Sequence, residues 1–246
     1  MSIVAAELIL YGALSRPEDD VSLTGGAIDR DNRATLVQLA ITDTLEMLSD
    51  NAGDTTQQVT ITGRDATGAV VSEVKTLNGT SVVAFTTTFE RVQKVVMDSD
   101  AVGNVTIRRA SAGPTVGVIP PGERGFFVMF VNSASETSPT IRFEKVHWDN
   151  TNVSLTLNAA LVRLVTDPLA VIREGVESAK NDSATVANRK AIPAGVTFVD
   201  DGLDQSVPTT TLEAGSSIGV WTELSLAADN VPIKDSFTTR LAGTSI

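Results

Sequence analysis

"QQVTITGRDATGAVVSEVKTLNG", residues 57–79, is the stretch whose reading decides the fold. Its first segment puts Val59 and Ile61 on one face of an extended chain and Thr60 and Thr62 on the other, the period of two that marks a half-buried strand. "DATG" supplies turn residues, "AVVSEVKTL" alternates again, and Asn78-Gly79 closes the stretch with two residues that tolerate positive φ and suit a type I′ hairpin turn. Outward from it, "TSVVAFTTTFERVQKVVM" reads as one long bent strand or two, with Val82, Ala84 or Phe85 and Phe89 inward and the threonines toward solvent. "GNVTIRRA" closes the series, while "ATLVQLAI" and "TLEMLSD" add two strands upstream. Six or so strands with tight turns and almost no helical periodicity point to a β-sandwich or barrel.

The vocabulary changes at "SAGPTVGVIPPGERG", residues 111–125, where Gly and Pro concentrate and Pro120-Pro121 removes two ladder donors in succession. A domain junction is expected there. The resulting organisation is an N-terminal arm over residues 1–32, a β-sandwich or barrel over residues 33–113, and a second β-sandwich over residues 114–246. In "TIRFEKVHW", Ile141, Phe143, Lys145 and His147 share one face and Arg142, Glu144, Val146 and Trp148 the other, so neither face is purely apolar and mixed burial is expected. "DPLAVIREGVESA" has a helical alternative: Asp167 can cap, Pro168 fits the first helical position, and Leu169, Ile172 and Val176 share a face. Gly175 and a competing period of two stand against it. No period of about 20 to 50 residues repeats, which disfavours a solenoid or propeller.

Composition excludes several function classes. With 19 basic against 30 acidic side chains the net charge is −11, and no Lys/Arg-rich stretch interrupts it, so nucleic-acid binding is not expected. The apolar runs "VVAF" and "GFFVMFV" are too short to cross a bilayer, so a soluble chain with no membrane association is expected. The N-terminus has no basic residue before its apolar stretch, which Glu7 interrupts, and a secretory signal is not expected. Cysteine is absent, removing disulfides, thiolate metal sites and a cysteine nucleophile together. The single histidine, His147, lies in a strand without the partners a catalytic triad requires. "EAGSSIGV" has the wrong spacing for a nucleophile elbow, and "TGGAID" lacks both the spacing and the lysine of a phosphate loop.

Acidic groups occur at Glu18, Asp19 and Asp20, at Asp29 and Asp31, at Asp98 and Asp100, and at Asp200, Asp201 and Asp204. All are in loop-like sequence and read as solvated; "DRDNRATLVQLA" lacks the glycine and glutamate that a calcium loop needs at its sixth and twelfth places. A carboxylate pair for glycoside hydrolysis would need stacking platforms beside it, and aromatics are only 4% of the chain. No enzyme activity, cofactor or metal is expected.

Two sets of segments resemble known proteins. "GDTTQQVTITGRDATGAVVSEVKTLNGTSVVAFTTTFERVQKVVM" with "GNVTIRRA" resembles the Thr-rich hairpin domain of virion structural proteins of tailed bacteriophages. "IPPGERGFFVMFVN", "RFEKVHWDNTNVSLTLNAALV", "PAGVTF", "LEAGSSIGVWTELSLAADN" and "SFTTRLAG" resemble the immunoglobulin-like sandwich of the same proteins. There a Leu-x-x-Gly turn leads into a strand ending near an aromatic, and Leu212, Gly215, Val220 and Trp221 occupy those places here.

The resemblance implies an all-β chain of two β-sandwich or barrel domains, the C-terminal one immunoglobulin-like, with the segment after Asp167 a strand. It implies a non-enzymatic capsid decoration or cement protein, made in the host cytoplasm and carried on the capsid surface of the virion. Its partners would be the major capsid protein and further copies of itself, a trimer suiting a three-fold site. The alternative is a tail or fibre component, or an adhesin, binding a tail partner or a host-surface glycan. An exposed cluster of aromatics around Trp148 or Trp221 would favour that alternative, and burial of both the scaffold. The candidate interface residues are Arg16, Asp19, Asp20, Arg30, Arg33, Arg108 and Arg109. The N-terminal arm is expected to order on the capsid or exchange between protomers.

Overall fold

The structure is a computed structural model that describes residues 2–17, 19–35, 38–130, 137–229 and 236–245. Its regular elements are strands and two single-turn 3-10 helices, so the chain is all-β. The strands are β1 (Leu8–Ser15), β2 (Thr24–Thr35), β3 (Leu45–Ser49), β4 (Gln58–Arg64), β5 (Val70–Thr76), β6 (Val83–Ala84), β7 (Arg91–Met97), β8 (Val105–Arg109) and β9 (Thr115–Ile119). They continue as β10 (Gly125–Val128), β11 (Thr140–Asn150), β12 (Leu157–Thr166), β13 (Ile172–Lys180), β14 (Thr185–Val186), β15 (Asp204–Ser206), β16 (Thr211–Leu212), β17 (Ser217–Leu226) and β18 (Thr238–Ser245). Among the described residues no helix is long and apolar enough to cross a membrane.

Two compact units result. The inserted unit comprises the described residues between 30 and 130. The terminal unit comprises those before 30 and after 136.

In the inserted unit, the second half of β2 runs parallel to β10, and β10, β7, β4 and β5 follow in antiparallel order. A second sheet has the order β6-β3-β8-β9. The inward positions of both sheets build one core: Val59 and Ile61 on β4, Val95 and Met97 on β7, and Phe126 on β10 join Leu45 and Met47 on β3, Val105 and Ile107 on β8, and Ile119 on β9. This is a β-sandwich, and the alternation that places Val59 and Ile61 inward is the one read from the sequence.

The turn after β5 differs from the expected one. Gly79 alone takes positive φ (56°), and the turn closes by Ser81 N–H donating to the Asn78 carbonyl at 3.1 Å, so Asn78 stands at its first corner. A type I′ turn would need both residues at positive φ. Glycine is required for a second reason, because a Cβ there would lie 2.6 Å from the Ala52 carbonyl oxygen. The chain that follows breaks into β6 and β7; Phe85 and Phe89 are buried as expected, but Val82 is 48% exposed and points outward. In "ATLVQLAI" only Ala34 and Thr35 belong to a strand, and Leu36 and Val37 lie outside the described residues. Gln38 then replaces a ladder with its side chain, donating to Val92 O and accepting from Val92 N–H.

The expected junction at residues 111–125 falls inside the inserted unit. β9 pairs with β8, and β10 is held between β7 and β2. Gly117 within it serves packing: a Cβ there would sit 2.5 Å from the Phe126 ring.

In the terminal unit, β13, β17, β11, β1 and the first half of β2 are sheet neighbours in that order, and β14 pairs β2 antiparallel. A smaller sheet is built on β12, which pairs β15, β16 and β18. The expected N-terminal arm is therefore corrected: β1 is registered along β11 from Leu8↔Asn150 to Gly12↔Val146, and it buries Tyr11 and Ala13. "LILYGA" is a continuous apolar run, and burial against a neighbouring strand stabilises it more than exposure on an arm. The segment after Asp167 is strand β13 and not a helix. β17 is buried on both faces from Ser217 to Glu223, as a central strand covered on either side must be.

Candidate functional site

The most concentrated chemistry lies on one face of β11. Alternation places Phe143, Lys145, His147 and Asp149 on the same side, and all four are buried, Lys145 at 1% exposure and His147 at 0%. Residues after β13 cover part of this face: Val186 packs with Phe143 and Trp221, joined by Ala191, Val196 and Phe198, whose ring centroid is 5.3 Å from that of Phe143.

A buried ammonium needs compensating charge and hydrogen bonds. Lys145 Nζ donates to Asp182 Oδ2 and to the Ala184 carbonyl at 3.2 Å, and stands 3.2 Å from Glu177 Oε1. It also lies 5.4 Å from the centre of the Trp221 ring, a cation–π contact. Trp221 Nε1–H donates to Glu177 Oε1 at 2.5 Å and orients that carboxylate. Asp182 Oδ1 accepts the Ala184 N–H at 2.9 Å. Burial pushes the Asp182 pKa up, but the hydrogen bonds from Lys145 and the Ala184 N–H and the charge of Lys145 outweigh it and hold the group below its usual value. Removing one partner of such a cluster and leaving the others buried costs about 3–5 kcal/mol.

Glycines clear the space. A Cβ on Gly219 of β17 would lie 2.7 Å from Lys145 Cε and 3.0 Å from Glu177 Cγ. One on Gly25, whose φ is +99°, would lie 2.7 Å from Trp221 Cη2. The "TGG" of "TGGAID" thus admits the indole, and the Gly26 carbonyl beside it meets His147 Nε2 at 3.1 Å.

The candidate interface residues are spread over both units. In the terminal unit Arg16 pairs Asp29 at 3.0 Å. Asp19 accepts the Val21 and Ser22 N–H groups and the Ser22 hydroxyl, closing its own turn. Asp20 receives both arms of the Arg142 guanidinium at 2.9 Å and Lys190 at 3.0 Å; the Arg142 hydrogen bonds, against burial, hold its carboxyl far below the usual range. Glu18 lies outside the described residues. In the inserted unit Arg30 is exposed, and Arg33 grips Glu123 with two bonds of 2.6 and 2.8 Å. Arg108 pairs Glu46 at 2.7 Å and Arg109 pairs Asp43 at 2.6 Å. Glu46 also accepts the N–H groups of Ser111 and Ala112, which take positive φ, so Arg108 stands beside the carboxylate that holds the β8–β9 turn.

Sequence reasoning placed Lys145 and His147 on one face but missed Glu177, Asp182 and the Trp221 contact. A lysine between Phe143 and His147 on an inward-alternating face was the available signal, since an inward charge demands a counter-charge elsewhere. The partners come from residues 32 and 37 positions away, a distance over which no spacing motif operates. Among the described residues no group of three or more His, Asp or Glu is arranged to hold a metal ion. No family model, curated protein or solved structure matches this chain.

Proposed function

We propose that this chain is a structural protein of a tailed-phage virion, a capsid decoration protein whose terminal unit is immunoglobulin-like and which binds the assembled shell without catalysing a reaction. The observation that carries the reading is the open edge of β5. Leu77 N–H bonds Gln57 O and Asp65 N–H bonds Ala69 O, which makes Val59/Lys75, Ile61/Glu73 and Gly63/Val71 the bonded pairs of the β4–β5 ladder. The backbone groups of Val70, Ser72, Val74 and Thr76 consequently point away from β4, at the end of the strand order. Val70 and Val74 there are 60% and 50% exposed. Among the described residues no strand pairs with this edge, and its outward donors, acceptors and two apolar side chains suit an extended segment of the major capsid protein added as a further strand.

Two further features support a scaffold. At least five of the seven candidate interface residues, Arg16, Asp20, Arg33, Arg108 and Arg109, are engaged in ion pairs within the chain, which stiffens each unit. Trp221 is buried and Trp148 half-buried, so neither forms the exposed aromatic platform that a glycan-binding adhesin would present. Weak edge contacts multiplied by shell symmetry supply the avidity, and association into trimers would match a three-fold site.

The test is co-sedimentation with shells assembled from the major capsid protein of the phage that carries this chain. Saturable binding is expected, and replacing Val70→Lys and Val74→Lys together should reduce it at least tenfold while leaving the fold intact. Protein that stays in the supernatant at all shell concentrations would overturn the reading.

A further inference from the structure

The geometry points to an intramolecular isopeptide bond between Lys145 Nζ and Asp182 Cγ, formed in the folded chain with Glu177 as proton carrier. The inference is independent of the virion reading, since every residue it uses lies in the terminal unit and needs no partner.

Amide formation from an amine and a carboxylic acid is slow in water because both groups are ionised and rarely meet. Three features of this site remove those obstacles. The first is position: Lys145 Nζ is in direct contact with the Asp182 carboxylate, held there by the Ala184 carbonyl and the Trp221 ring, so the encounter is already complete. The second is desolvation: the Lys145 side chain is 0% exposed, Glu177 8% and Asp182 13%, beside an apolar wall of Phe143, Val186 and Trp221. In such surroundings the proton transfer that yields amine and acid stays within the three contacting side chains and does not pass through solvent. The third is the asymmetry of the carboxylate: Oδ1 accepts the Ala184 N–H, whereas Oδ2 faces the amine. Oδ1 is therefore the oxygen that keeps its place as the amide carbonyl, and Oδ2 the one that departs.

The step balances without a co-reactant. Lys145 passes one proton through Glu177 to Asp182 Oδ2, giving an amine and a carboxylic acid. The Nζ lone pair attacks Cγ, and the charge that develops on Oδ1 is met by the Ala184 N–H. Glu177, 3.2 Å from Nζ, takes a second proton from the nitrogen and delivers it to the Oδ2 hydroxyl, which leaves as water while the carbonyl re-forms. Of the three ammonium hydrogens one remains on the amide and two leave with Oδ2. Glu177 returns to carboxylate, and nothing is oxidised or reduced. Trp221 acts through Glu177 and is a positioning residue. Gly219 leaves the passage over β17 through which the lysine stem reaches the carboxylates. The product is a cross-link between β11 and the segment after β13 that closes a span of 37 residues and restricts the unfolded chain as a disulfide would.

The test is the intact mass of the full-length folded protein, measured after denaturation. The wild type should weigh one water, about 18 Da, less than its sequence. Trypsin should fail to cut after Lys145 and should release a branched peptide joining residues 143–163 to residues 181–189. Glu177→Gln, which keeps the shape and removes the proton carrier, should show the full sequence mass and ordinary cleavage at Lys145. A wild-type protein at full mass with Lys145 cleavable overturns the bond. So does a water loss that maps to the Asp201-Gly202 dipeptide, where a succinimide has the same mass. A branched peptide formed by Glu177→Gln as fully as by the wild type overturns the role given to Glu177.

Discussion

Thr239 of β18 donates its hydroxyl to Glu174 Oε2 of β13 at 2.9 Å, a bond that ties the two sheets of the terminal unit together through a carboxyl group at 0% exposure. Glu174 Oε1 has no hydrogen-bond partner among the described residues. Burial pushes the Glu174 pKa from 4.5 up to about 7, with the Thr239 bond opposing only in part. The folded state thus holds a proton that the unfolded state has released between those two values. The stability this group contributes is full below its unfolded pKa and is lost as pH rises through the folded one. Glu174→Gln should raise stability at pH 8 by about 1–3 kcal/mol, leave it nearly unchanged at pH 4, and flatten the profile between. Urea denaturation across that range checks it; an unchanged pH profile would contradict the burial cost assigned to Glu174.

Asp54 plays the opposite part in the inserted unit. Its carboxylate is at 0% exposure and accepts the Ser49 hydroxyl at 2.6 Å, the Val102 N–H at 2.9 Å and the Gly103 N–H at 3.0 Å. Burial pushes its pKa up, but those three hydrogen bonds outweigh it, and the group titrates below its usual value. Its own carbonyl takes the Gly79 N–H, so one residue joins three loops. Asp54→Ala strands the donors and should cost about 2–3 kcal/mol, read from the denaturation midpoint. In the wild type this contribution is present above the unfolded carboxylate pKa and lost as pH falls through the folded one.

Gly219 and Gly122 are both glycines, yet their replacement should differ. A Cβ on Gly219 meets Lys145 Cε at 2.7 Å, within a buried cluster that has no room to yield. Gly219→Ala should cost about 1–3 kcal/mol. Gly122 has open space around it but φ of +79°, so Gly122→Ala should cost only about 1 kcal/mol, the backbone penalty alone. Equal losses in thermal denaturation would contradict the packing account.

Deleting residues 1–15 should unfold the terminal unit. β1 pairs five consecutive residues with β11 and buries Tyr11 and Ala13, so its loss exposes the edge that carries the Lys145 face. Hydrogen exchange of β11 amides in the truncated chain should rise to the unfolded rate, while β4 and β7 keep their protection. Full protection of β11 would restore the idea of a detachable arm.

Much of the architecture was legible because a period of two is a local signal. "QQVTITG" declares its buried face within seven residues, and β13 is a strand even though Asp167-Pro168 offers a helix start. What was not legible depended on partners distant in sequence. The Pro-rich segment before Gly125 looked like a linker because punctuation residues mark turns, and only the pairing of β9 with β8 and β10 with β7 shows that it folds within the sandwich. Asn78-Gly79 looked like a type I′ corner because composition carries no information about the approach of Ala52. The Lys145 cluster required Glu177 to arrive from β13 and Asp182 from the segment after it, and the candidate arginines were paired by carboxylates as far as 90 positions away.

The central claim, that this is a shell-binding structural protein, is tested most directly by imaging virions that carry it. Electron cryo-microscopy with icosahedral averaging should show density fitting each β-sandwich unit at one repeated position on the capsid surface, with β5 continuous with a strand of the major capsid protein. Shells bare of that density, or density confined to the tail, would contradict it.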